Sequence, residues 1–127
     1  MQHENSFEKW WGENGNYYEN INITKEEFKG FRFKNGFNKG DIMVLWGRSK
    51  VKIGDVIVFQ GAASKPIIHR VIKINEDKTY RTKGDNNADS RQDELNIKKV
   101  YGKAVFRIPW LGYIKIIFTD LISLIFR

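Results

Sequence analysis

Few side chains in this sequence can move a proton near neutral pH or attack a carbonyl. Its two histidines, His3 and His69, lie far apart, and cysteine is absent. Without thiols there can be no disulfide framework, zinc knuckle, iron–sulfur site or cysteine nucleophile. The separated histidines make no His-rich metal site, and no cofactor is expected. His69 sits inside the apolar run Pro66-Ile67-Ile68-His69-Arg70-Val71-Ile72-Lys73-Ile74, where a lone histidine is by default structural. Period-two alternation puts Ile67, His69 and Val71 on one face and Ile68, Arg70 and Ile72 on the other. Asp85 lies in Thr82-Lys83-Gly84-Asp85-Asn86-Asn87, with Asp89 shortly after. Such a run is by default a turn, because Gly, Asn and Asp tolerate left-handed backbone. The five serines are Ser6, Ser49, Ser64, Ser90 and Ser123. Helix capping accounts for Ser6, and His3 lies near a terminus, where order is ordinarily low.

The elements that must position these groups follow from periodicity. Asn5-Ser6-Phe7-Glu8 opens like a helix, with Asn5 as cap and Glu8 three residues on. Gly12 and Gly15 should keep that helix short. Thr24-Lys25-Glu26-Glu27 starts a second brief helix, ending near Gly30. Neither piece shows a full amphipathic period, so residues 1–36 read as an appendage lying on something else. Strands follow: Asp41 to Trp46, Gly54 to Phe59, Pro66 to Ile74, Thr79 to Thr82 and Val100 to Ile108. Asn75-Glu76-Asp77-Lys78 turns the third strand into the fourth as a hairpin. Lys83 to Glu94 is a polar loop. Short strands with frequent turn signals imply a mostly β domain of twisted, barrel-like sheets over residues 37–112. Residues 113–127 read as an apolar C-terminal helix, and the whole as one domain.

With 22 basic and 15 acidic residues, the net charge of +7 is uneven: residues 1–30 carry −3, leaving +10 for the rest. A basic domain suits anionic partners such as a lipid surface or nucleic acid. A nucleic-acid barrel would interleave basic and aromatic residues on one face. Instead Phe and Trp fall largely in apolar runs or in the acidic N-terminal segment, so nucleic acid is not expected.

Taken together and in order, several motifs resemble one family. They are Gly40-Asp41 with its apolar strand, Gly54-Asp55-Val56-Ile57-Val58-Phe59, His69-Arg70-Val71-Ile72 and Thr82-Lys83-Gly84-Asp85-Asn86-Asn87. Gly102-Lys103-Ala104-Val105 and Ile108-Pro109-Trp110-Leu111-Gly112-Tyr113 complete the set. The pattern resembles signal peptidase I of the archaeal and endoplasmic-reticulum type over residues 35–113. In the bacterial branch a lysine base stands where His69 stands. The resemblance implies a membrane-anchored serine endopeptidase whose β catalytic domain lies on the extracytoplasmic side of the cell membrane. It would remove signal peptides, bound extended, from exported preproteins after a small residue. His69 would take the serine proton and return it to the leaving amine, and an aspartate would fix its tautomer. Asp85 matches the family's Gly-Asp-Asn-Asn aspartate. Asp89 is the nearest match to the second one, with Asp93 as the alternative.

The family's Ser-Met-x-Pro nucleophile motif has no match, since none of the serines precedes a Met. Met1-Gln2-His3-Glu4 reads as the tail of such a motif, with the serine expected just before Met1 and a membrane helix before that. Residues 5–36 would then be an insertion. The rival reading is a serine-less relative that binds extended peptides along a strand edge. In residues 113–127, Lys115, Thr119, Asp120, Ser123 and Arg127 recur at helical spacing within an otherwise apolar stretch. That pattern, with the resemblance, implies contact with a membrane surface.

Overall fold

The computed structural model describes residues 6–37, 41–47, 50–61, 65–91 and 94–108. The chain runs α1 (Phe7–Asn20), α2 (Lys25–Lys29), β1 (Ile42–Trp46), β2 (Val56–Gln60), β3 (Pro66–Ile74), β4 (Tyr80–Lys83) and β5 (Val100–Ile108). All five strands join one antiparallel sheet in the order β1-β5-β2-β3-β4. The expected β character therefore holds. The expected helix over residues 113–127 lies outside the described residues.

α1 is longer than its glycines suggest. Ser6 caps it, accepting from Lys9 N–H, and the helix continues through Gly12 and Gly15 to Asn20. Each helical glycine costs about 1 kcal/mol relative to alanine, but burial of the large aromatics on this helix outweighs that cost. Gly15 has a packing reason: a Cβ there would stand 2.6 Å from the Trp11 indole, which lies across it. α2 ends as expected, with Thr24 at its N-cap and Gly30 at its C-cap.

The two sheet faces are covered differently. On one, Trp10, Trp11, Tyr18, Ile23 and Phe28 form a cluster closed by Ile72 of β3. Phe28 is its centre, fully buried with ring centroids of Trp10 at 4.8 Å and Tyr18 at 4.9 Å. On the other, Ile57, Phe59, Val71 and Ile97 form a second cluster. Ile57 pairs with His69 and Phe59 with Ile67, so His69 belongs to the second face. One row of directly paired residues crosses the sheet on that face: Trp46, Lys103, Ile57, His69. At about 4.8 Å per strand, its ends are about 14 Å apart.

Candidate active site

His69 and Arg70 are consecutive on β3, so alternation sends them to opposite faces. This parity organises the site. Arg70, fully buried, points under the helices, with its guanidinium 4.8 Å from the Phe28 ring centre. It donates to the carbonyls of Arg32, Phe33 and Gly54 and, with two bonds of 2.9 Å, to Asp85. Asp85, also fully buried, is thus committed to Arg70. Its negative charge still reaches His69, where it favours the protonated ring.

On the other face, His69 Nδ1 lies 2.9 Å from Oε1 of Glu94. The approach is off the line of an ideal hydrogen bond, and neither atom has another partner among the described residues. Glu94 is fully buried. Burial of the ring pushes the His69 pKa below its ordinary value, against the opposing pull of the Glu94 charge. His69 is accordingly poised as a neutral imidazole at pH 7, able to accept a proton at Nε2.

Glu94 is the residue that sequence reasoning missed. Ile97 bridges to Tyr80, each N–H donating to the other's carbonyl at 2.8–2.9 Å. Three residues before that bridge, past Leu95, whose carbonyl accepts from Asn75 Nδ2 at 3.1 Å, Glu94 reaches His69. The available signal was an acidic residue closing the polar loop just before Ile97.

Asp89 sits elsewhere. Its carboxylate accepts from Tyr17 Oη at 2.9 Å and from Arg81 at 3.0 Å, on the exposed side of α1. Asp93, Met1 and His3 lie outside the described residues. Of the serines, Ser6 caps α1 and Ser90 donates to the Thr82 carbonyl; Ser49, Ser64 and Ser123 are outside the described residues.

The loop carrying Asp85 is held from the helical side. Trp10 Nε1 donates to Asn86 Oδ1 at 2.7 Å. The buried Lys83 ammonium donates to Tyr18 Oη at 2.9 Å and to the carbonyl of Gly84 at 2.8 Å. Burial lowers the Lys83 pKa to about 8. At Gly84 a Cβ would crowd the site, meeting Asn87 Nδ2 at 2.7 Å and His69 Nε2 at 2.9 Å.

A cleft of about 410 Å³ opens at this point, lined by Phe37, Pro66–Ile68, His69, Asn87, Arg91 and Glu94. Beside it, Pro66 to His69 pair with β2 on one side only, because β4 begins pairing at Arg70. One main-chain edge of β3 is thereby left without a strand partner among the described residues.

This geometry can be set beside known proteins. No protein-family model matches the chain. A catalytic subunit of the signal peptidase complex from Eremothecium gossypii is 40% identical over 98 aligned positions, covering 66% of this chain and 59% of that protein. Subunits of the same name from Chaetomium globosum and Candida tropicalis are 34% and 36% identical, each over 66% of this chain and over 57% and 58% of their own lengths. Over that stretch the chain is homologous to these catalytic subunits. It spans less than three fifths of the length of these relatives. No helix among the described residues is long and apolar enough to cross a membrane.

Proposed function

We propose that this domain is the β catalytic domain of a signal peptidase I-type serine endopeptidase. The observation that carries the reading is the His69–Glu94 pair in a cleft beside an unpaired strand edge, within a chain homologous to signal peptidase catalytic subunits. An extended signal peptide would add to the free edge of β3 by main-chain pairing, bringing its scissile carbonyl to His69. His69 would accept the hydroxyl proton of the nucleophile at Nε2 and later give it to the leaving amine. Glu94 would hold the ring tautomer through Nδ1 and stabilise the imidazolium. Asp85, held by Arg70, would add fixed negative charge nearby and anchor the loop. Asp89, bound to Tyr17 and Arg81, would tie that loop to α1. The nucleophile would be a serine preceding Met1.

The membrane surface would meet the same sheet face. Trp46 is 55% exposed at the far end of the row that leads to His69, and Tyr101 of the neighbouring β5 is 48% exposed. Lys50, Lys98 and Lys103 line a cleft with Trp46. Exposed Trp and Tyr beside lysines suit an anionic lipid interface.

The test is cleavage of a preprotein by the chain extended upstream to include a serine directly before Met1. Activity is expected, and it should disappear on His69→Ala and on removal of that serine. Cleavage that survives His69→Ala would overturn the reading.

A further inference from the structure

We propose that Asn87 is a substrate-contacting residue whose side-chain amide donates to the peptide carbonyl presented at His69. The inference rests on the peptidase reading above and names a group that reading does not need.

Gly84 marks where the groups converge. The point where its Cβ would stand is 2.7 Å from Asn87 Nδ2 and 2.9 Å from His69 Nε2. The two nitrogens are therefore neighbours across the bare Gly84 backbone. Both residues line the same cleft. The Asn87 backbone is fixed, its N–H donating to the Gly84 carbonyl at 3.0 Å in a tight turn. That turn is anchored by the Arg70–Asp85 pair and by the Trp10–Asn86 bond. The half-buried Asn87 side chain makes no hydrogen bond among the described residues.

An amide on a fixed backbone with its donors unspent is suited to polarise a carbonyl. His69 turns Nδ1 to Glu94 and Nε2 toward the bare Gly84 backbone, so a carbonyl brought beside Nε2 lies within reach of Asn87 Nδ2. Because the donor is neutral, it would strengthen as negative charge develops on the carbonyl oxygen without perturbing the neutral imidazole. Removing one donor of this kind typically costs about 10²–10³ in kcat.

The experiment reads contact rather than turnover. The folded chain is titrated with a synthetic peptide spanning a signal-peptide cleavage site while the Asn87 side-chain amide and the His69 ring are followed by NMR. Both should move together, the Asn87 amide protons downfield. A peptide that shifts His69 and the Ile67 and Ile68 amides but leaves Asn87 unmoved would overturn this inference alone. A peptide that moves none of them would overturn it together with the peptidase reading. A second variant guards the geometry: Asn87→Asp should raise the His69 pKa by placing a carboxylate beside Nε2. An unchanged His69 titration would overturn the proposal.

Discussion

Asp85 accepts two hydrogen bonds from Arg70, from Nε to one oxygen and from the terminal nitrogen to the other, each 2.9 Å long and both out of solvent. Removing one partner of a buried pair leaves the other charge uncompensated, at about 3–5 kcal/mol. Arg70→Met should therefore lower the urea midpoint severely at pH 7. A midpoint shift worth under about 1 kcal/mol would show that the pair is not structural.

Glu94→Gln keeps the shape of the side chain and removes its charge. The burial that lowers the His69 pKa would then act with less opposition, so the His69 titration should move further down. Cleavage by the serine-bearing protein should fall on the order of 10³–10⁴-fold, the scale for a mis-set imidazole tautomer. An upward-moving His69 pKa would refute the pairing.

Lys83 gives the domain a pH signature. Its native pKa of about 8 lies below the ordinary 10.5, so between these values the unfolded chain binds the proton more tightly. Stability should rise with pH across that window, because the native state sheds a buried charge there. Below it, the burial cost is fully present. Urea unfolding at about pH 7 and about pH 9.5 should show this rise, and Lys83→Met should flatten it.

Gly84→Ala forces a methyl group against Asn87 Nδ2 and His69 Nε2. Displacing catalytic groups by about 1 Å can cost about 10²-fold in rate. Cleavage should drop accordingly, while thermal stability changes by less than about 2 kcal/mol, in the range of modest overpacking. Unchanged turnover would show that the crowding is relieved away from the site.

The strands were legible because each is an apolar run closed by Gly, Pro or Asn: Ile42–Trp46, Val56–Gln60 and Pro66–Ile74 lie within two residues of their expected bounds. The hairpin was legible from its Asn75–Lys78 turn, while its strand runs one residue past the expected end, to Lys83 opposite Arg70. α1 was underestimated because glycine propensity is local, whereas the Trp11 indole lying over Gly15 is a packing fact. The partner of His69 was not legible. Its identity depends on a return of chain at Ile97, set by a long-range bridge to Tyr80 that no local pattern announces.

The aromatic cluster is sealed by Ile72, and α1 is fastened to Asn86, 76 residues further along the chain. Short helices of this size are marginal on their own in water, so α1 and α2 have little to hold them until β3 and its turn exist. The loop-closure entropy of that connection must be spent before the contacts repay it. In a refolding reaction the sheet should therefore gain hydrogen-exchange protection first, and Trp10 fluorescence should report the final step. α1 and α2 are thus the last of the described elements to fold, although they precede the sheet along the chain.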